Sequence, residues 1–377
     1  MKSKLFCICI LFIVFNIIFS ADAASLQVSA KSAVLICADT GQILYEHNAY
    51  EKLSMASTTK ILTALLAVEN LSPEAEIMIG NEVLNVDGTS LGLKPGDRIR
   101  VYDLLVGLML SSGNDAANAV AVAVSGSIEG FVDLMNHRAA LIGMRASSFA
   151  TPSGLDDENH YSTAYDMALL TREALQNELF AEIVSQYTAT IHIGEKKIWL
   201  KNHNRLLQSY SGLIGVKTGF TKKSGRCLVT AAQRDGTSLI AVTLKASDDW
   251  TDHCALLDYG FAAVKHFSVY ESIPQYYVDV VGGKANSVAC VPSVDLTYSA
   301  MQPLADIQVQ VTTVPFVYAP VSQGDIIGKI TCFYNGTKIA ETPLCATDDV
   351  EFNAVVIQEK TKMQQWLQLL SGWFSYG

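Results

Sequence analysis

No two cysteines of this chain form a C-x-x-C pair, which removes the paired-thiolate arrangement that most zinc clusters use. A block of basic residues is also missing. Lys and Arg number 27 against 37 Asp and Glu, for a formal net charge of −10. Such a surface repels a phosphate backbone, so a nucleic-acid partner is excluded. Charge of either sign is scarce, at 17% of residues, while half the residues are hydrophobic. That balance excludes a disordered chain and suits a folded protein with a sizeable core. The apolar run from Leu5 to Phe19, broken only by Asn16, is short for the ~20 residues that a membrane span needs.

That run reads instead as part of a leader. Lys2 and Lys4 precede it, and Ala21-Asp22-Ala23 follows with small residues at the two positions a signal peptidase reads. Residues 1–23 are therefore expected to be a secretory signal peptide cleaved after Ala23. Cys7 and Cys9 lie inside the run rather than just past it, which argues against lipid attachment. Six cysteines remain beyond the leader: Cys37, Cys227, Cys254, Cys290, Cys332 and Cys345. An extracytoplasmic protein can form disulfides. However, three of the six precede residue 270 and three follow it, so pairing within each half leaves one over. Buried thiols are the simpler expectation.

The 377 residues are more than one ordinary domain needs and predict two. Ala33 to Cys37 and Gln42 to His47 read as strands joined at Asp39-Thr40-Gly41, and Cys227 to Gln233 and Thr237 to Leu244 as strands joined at Asp235-Gly236. Helical patterns fill the interval: Thr58 to Asn70, Tyr102 to Leu110, Asp115 to Val124, and Thr163 to Leu175 behind a capping-box start. Asp252 to Val264 adds a helix after the second hairpin. Strands first and last with helices between predict an α+β domain over residues 24–268, an antiparallel sheet flanked by helices with an inserted helical block. Short β-rich runs then predict a small all-β domain over 269–352, with Asn335-Gly336 as a hairpin turn. Met363, Trp366, Leu367, Leu370 and Phe374 recur at spacings of three and four. Residues 353–377 are accordingly expected to be an amphipathic helix that lies in a membrane interface; packing on the protein or on a second copy is the alternative.

Three short motifs carry chemistry. Ser57-Thr58-Thr59-Lys60 is the chain's one serine with lysine three residues on. On a helix, positions i and i+3 share a face, so the lysine amine sits beside the hydroxyl. A serine hydroxyl needs such a base to become a nucleophile. The lysine must be neutral to serve, which requires burial or a nearby cation to lower its pKa. A helix start also offers free N–H groups and positive potential to an oxyanion. Ser112-Gly113-Asn114, between two apolar helical runs, is the one S-x-N. Ser112 can relay a proton and Asn114 can offer an amide donor to a substrate carbonyl. Lys217-Thr218-Gly219 is the one K-T-G. Its cation and hydroxyl suit a substrate carboxylate, and its glycine lets a substrate backbone lie close to a strand.

This ordered set is that of β-lactamases and penicillin-binding proteins. From Ala33 to about Phe267 the chain resembles the low-molecular-mass penicillin-binding proteins, serine-type D-alanyl-D-alanine carboxypeptidases. The stretches Ser112 to Ala116, Thr151 to Asp156 and Gly212 to Thr221 share in the likeness. The resemblance implies a β-lactamase/transpeptidase-like fold, the family's C-terminal β domain, and a membrane-anchoring tail on the outer face of the cytoplasmic membrane. It implies an acyl-enzyme on Ser57, Lys60 as general base, Ser112 as proton relay and Asn114 on the peptide amide. Lys217 and Thr218 would bind the terminal carboxylate, and the N–H groups of Ser57 and Phe220 would form the oxyanion hole beside Gly219. The implied partners are peptidoglycan stem peptides ending in D-Ala-D-Ala, with β-lactams as covalent inhibitors and no cofactor. Some members have His after K-T-G where this chain has Phe220. Some use a downstream arginine on the carboxylate; with no Arg after Arg234, Lys245 or nothing is expected there. A class A β-lactamase would need an E-x-E-L-N loop, and no Leu-Asn pair lies between Ser112 and Lys217. An endopeptidase that cuts wall cross-links with the same residues stays open as the alternative activity.

Overall fold

The computed structural model describes residues 26–83, 86–269, 273, 275–353, 363, 366 and 367. The expected leader lies outside them, and so does the expected tail helix except for Met363, Trp366 and Leu367, which are helical and exposed. Two compact units divide between Val264 and Lys265.

In the first unit, one sheet holds β1 (Ser32–Cys37), β2 (Ile43–His47), β3 (Leu213–Thr221), β4 (Gly225–Arg234) and β5 (Thr237–Ala246). Their spatial order is β2-β1-β5-β4-β3, antiparallel throughout. Strands from the two ends of the unit thus pair directly, Ala33 opposite Thr243 and Ile36 opposite Ile240. Every residue of β1 is buried, so both of its faces are covered. Val34 and Ile36 join the core shared with the helical block. Leu35 points the other way, toward the helix Asp249–Ala263, where a Cβ on Gly260 would lie 2.8 Å from it and 2.7 Å from Leu239. Asp235 and Gly236 both take positive φ, 46° and 78°, as a two-residue turn matched to strand twist requires.

The helical block contains α1 (Lys60–Asn70), α2 (Val101–Leu110), α3 (Asn114–Ser125), α4 (Ile128–Ile142), α5 (Ala164–Ala174) and α6 (Glu178–Ser185). Lys60 through Ala67 are all buried, which an apolar helix at the centre of a bundle must be. Its start differs from the expected helix at Thr58. Ala56–Thr59 form a tight 3-10 turn first, because the Thr58 and Thr59 hydroxyls donate to the carbonyls of Met55 and Ala56, three residues back (2.7 and 2.8 Å). The capping box on α5 is half formed. Thr163 accepts from the Asp166 N–H at 3.0 Å, but the Asp166 carboxylate turns to Ala146 N and Ser147 Oγ instead. Two helices, α4 and α6, and the hairpin Thr188–Ile193 with Lys196–Lys201 were not anticipated.

The second unit has a six-stranded sheet in the order Gln308–Thr313, Ile326–Tyr334, Thr337–Ala346, Ser287–Pro292, Tyr276–Val281, Phe316–Tyr318. Only the last pair is parallel. Asn335 and Gly336 form its positive-φ turn, at 49° and 76°. Lys265–Ser268 pairs with Thr297–Ala300, so this strand lies with the second unit and the division falls before residue 265 rather than after 268. None of the six described cysteines is in a disulfide; Cys37, Cys227, Cys290 and Cys332 are buried. Among the described residues, no single helix is long and apolar enough to cross a membrane.

Candidate active site

The 3-10 turn delivers Ser57, the first turn of α1 delivers Lys60, the α2–α3 loop delivers Ser112, and the first residue of α3 is Asn114. Strand β3 delivers Lys217, Thr218, Gly219 and Phe220. The structure brings all three motifs together. Lys60 is fully buried, and its Nζ donates to Ser57 Oγ at 2.9 Å, Asn114 Oδ1 at 2.7 Å and the Ser153 carbonyl at 2.7 Å. Burial holds its pKa well below the ordinary lysine value, the positive charge of Lys217 lowers it further, and Asp115 opposes both.

The partners of this amine define what it can do when neutral. A neutral amine has two N–H donors and one lone pair. The Asn114 amide oxygen and the Ser153 carbonyl can only accept. Ser57 is the one neighbour of the three with a proton to give. Deprotonation of Lys60 therefore leaves its lone pair facing the Ser57 hydroxyl, which is the arrangement a general base needs.

Ser57, Ser112, Thr218, Gly219 and Phe220 line one cavity of about 300 Å³, together with Thr89, His203, Arg226, Asp249 and Trp250. Ser112 has φ +62° and Ala56, just before Ser57, has φ +47°. Ser112 itself and the residue before Ser57 thus sit at left-handed non-glycine backbone, which costs about 1–2 kcal/mol per residue. Lys217 is buried behind this wall and donates to the Thr218 carbonyl at 3.0 Å. Burial pushes its pKa down to about 7.

Two residues make contacts beyond those expected. Asn114 is buried. Its Oδ1 accepts from Lys60 and its Nδ2 gives one of its two N–H groups to the Asp87 carbonyl at 2.6 Å, so the amide holds the lysine and keeps one N–H for a substrate carbonyl. At Gly219 a Cβ would lie 3.0 Å from the Met55 carbonyl and 3.0 Å from Ser57 N. The missing side chain lets β3 press against the nucleophile turn.

The place for which Lys245 or nothing was expected is not filled by Lys245. Lys245 is exposed and does not line the cavity. Arg226 of β4 lines it instead, its Nε donating to the Asp249 carboxylate at 2.7 Å. Two guanidinium groups lie over the Trp250 ring, Arg205 at 4.7 Å and Arg226 at 5.5 Å from its centroid. A second omission was Asp115. Its buried carboxylate accepts from Ser90 Oγ and from the N–H groups of Leu91, Gly92, Leu93 and Ala116. This pins the loop that supplies Thr89, whose carbonyl accepts from Asn114 N at 2.7 Å. The acid next to Asn114 at a helix start was the available signal. Among the described residues, no group of three or more His, Cys, Asp or Glu is placed to hold a metal ion.

Comparison with known proteins agrees with this geometry. The family pattern described as D-alanyl-D-alanine carboxypeptidase matches residues 19–248, and that of the penicillin-binding protein 5 C-terminal domain matches residues 264–352. The D-alanyl-D-alanine carboxypeptidase DacF of Bacillus subtilis is 34% identical over 356 residues, covering 89% of this chain and 90% of the relative. DacC of Escherichia coli is 31% identical, covering 93% and 91%. Among solved structures, penicillin-binding protein 5 from Haemophilus influenzae aligns with a TM-score of 0.63 at 28% identity, covering 86% of this chain and 98% of that one.

Proposed function

This chain belongs to the D-alanyl-D-alanine carboxypeptidase family of serine hydrolases, and on that premise we propose how its residues remove the terminal D-alanine from a cell-wall stem peptide. Neutral Lys60 takes the Ser57 proton as Oγ attacks the carbonyl carbon of the penultimate D-alanine. The N–H groups of Ser57 and Phe220 hold the oxyanion, a contribution that grows as charge develops. Lys217, Thr218 and the Arg226 guanidinium hold the terminal carboxylate, so only a peptide that ends one residue past the scissile bond is seated well. Collapse breaks the C–N bond. The departing amine takes its proton from Lys60 by way of Ser112, and an ester remains on Ser57. Water, deprotonated by Lys60, hydrolyses that ester and resets the site. A β-lactam enters the same first step, but its leaving nitrogen stays tethered to the acyl group.

The observation that carries this reading is the Lys60 environment, in which two acceptors occupy the N–H groups and Ser57 alone can meet the lone pair. The test is quantified release of D-alanine from a stem peptide ending in D-Ala-D-Ala, run beside a cross-linked dimer of the same peptide. Release from the first with the dimer intact is expected. Cleavage of the dimer at a comparable rate would replace the carboxypeptidase reading with the endopeptidase one.

The same proposal places the enzyme outside the cytoplasm, exported by residues 1–23 and held at the outer face of the cytoplasmic membrane by the tail. The charged-apolar-small order of the leader and the apolar spacing of Met363, Trp366, Leu367, Leu370 and Phe374 support it. Truncation after Asn353 should move the protein from the membrane fraction to the soluble extracytoplasmic one.

A further inference from the structure

We propose that His160 is a positioning residue for the lysine base: its neutral ring fastens the loop that carries the Ser153 carbonyl onto the turn that carries Ser57. This inference rests on Lys60 acting as base, and it concerns how that base keeps its orientation.

The bonding of the ring assigns its tautomer. His160 is 2% exposed. Its Nδ1 accepts from the N–H of Ala150 at 3.0 Å and of Thr151 at 3.3 Å. Backbone N–H groups can only donate, so Nδ1 carries no proton and Nε2 does. Nε2 then donates to Thr59 Oγ1 at 2.8 Å, and that hydroxyl donates onward to the Ala56 carbonyl at 2.8 Å. One uninterrupted donor chain therefore runs from the start of the 150–154 loop through His160 to the residue before Ser57.

The same loop meets α1 at two further points. Thr63 Oγ1 donates to the Pro152 carbonyl at 2.5 Å and Lys60 Nζ donates to the Ser153 carbonyl at 2.7 Å. The fit leaves no slack, since a Cβ on Gly154 would stand 2.0 Å from the Ala56 carbonyl oxygen. The Ser153 carbonyl is one of the two acceptors that turn the lysine lone pair toward Ser57. Loosening the loop removes that acceptor and lets water reach a buried amine, which raises the lysine pKa toward its ordinary value.

The charges around the ring are consistent with a neutral imidazole. Burial lowers its pKa to about 4, against the opposing pull of Asp157 and Asp156, and Lys60 lowers it further. Phe149 covers it edge-on at 5.8 Å. A proton on Nδ1 would face two backbone N–H groups with no acceptor, so the fastening requires the neutral form. Lys60 itself faces Lys217 and Asp115.

The test is the pH profile of the second-order acylation rate with a fluorescent penicillin, measured on the full chain carrying His160→Ala, His160→Asn or Thr59→Val. Asn places its amide oxygen where Nδ1 stood and keeps the bond to the Ala150 and Thr151 N–H groups. His160→Ala should acylate about 10- to 100-fold more slowly at neutral pH, the scale expected of a misplaced reacting group. Its acid limb should move to higher pH. His160→Asn, which keeps those two bonds but loses the Nε2 donor to Thr59, should restore part of the rate and leave a smaller upward shift of the acid limb. Thr59→Val, which keeps the histidine and cuts the chain, should move the acid limb in the same direction by less. Should His160→Ala fail to fold, the other two variants decide. An acid limb that stays where the parent has it, in any folded variant, overturns the proposal even if the rate falls. A parent enzyme with no acid limb would instead remove Lys60 as the base.

Discussion

Replacing Asn114 by Asp tests the base most sharply, because it changes charge at one atom and little else. Asn114 Oδ1 lies 2.7 Å from Lys60 Nζ. A carboxylate in that position would favour the ammonium form, and an opposite charge at such range raises a lysine pKa by about 1–3 units. At pH values below the shifted limb, each unit removes about tenfold of the neutral amine. On that limb the acylation rate with a penicillin should therefore fall about 10- to 1000-fold, as the limb shifts upward by about 1–3 units. Asn114→Ala is the companion. It leaves the Asp87 carbonyl and one lysine donor without their partner, a loss of about 1–3 kcal/mol, and should slow acylation with a smaller shift of the limb. Stopped-flow fluorescence over a pH series reads both. An Asn114→Asp enzyme that is slow but has an unmoved acid limb would refute the claim that Lys60 must be neutral to act.

Further outcomes follow from the cavity wall and the core. Arg226→Gln removes a half-exposed guanidinium from the proposed carboxylate end of the cavity; KM for a D-Ala-D-Ala peptide should rise about tenfold with kcat little changed. A fall in kcat with unchanged KM would place Arg226 elsewhere in the reaction. Lys217 must be charged to bind the carboxylate, so binding by the free enzyme should weaken as pH rises through about 7. The bound anion should move that limb upward, seen as a higher apparent pKa in kcat than in kcat/KM. His160 and His253 have folded pKa values lowered to about 4 and about 3 by burial, against about 6.5 when unfolded. The stability they contribute is complete above about 6.5 and is lost as pH falls toward 4 and 3, about 3 kcal/mol for His160 alone. Melting temperatures should drop steeply over that window, and a flat profile would contradict the burial of both rings.

What the sequence revealed tracks how local each feature is. Ser57 and Lys60 were readable together because three residues on a helix are one turn, and their spacing already states a contact. The hairpin turns at Asp235-Gly236 and Asn335-Gly336 were readable because a positive φ at both residues has few chemical solutions. Ser153 was not readable as a site residue. It acts through a carbonyl, and a backbone oxygen has no signature in a side-chain alphabet. The commitment of Asn114 to Lys60 depends on the Asp87 carbonyl, which arrives from a separate loop. Arg226 was passed over because its place in the wall comes from strand register, with Phe220 on one side and Ala246 on the other, and register is decided by the whole sheet. Helix α4 did have local signals that were overlooked: Ser127 caps it, Gly143 ends it at φ +92°, and Phe131, Met135 and Ala139 fall at spacings of four on its buried face.

The most direct measurement is mass spectrometry of the intact protein after brief exposure to a penicillin, followed by peptide mapping. The account predicts a gain of one penicillin mass, located on the peptide that contains Ser57, and its absence in Ser57→Ala and in Lys60→Met. An adduct on another residue, or full labelling of the Lys60→Met protein, would contradict the nucleophile and the base on which the rest depends.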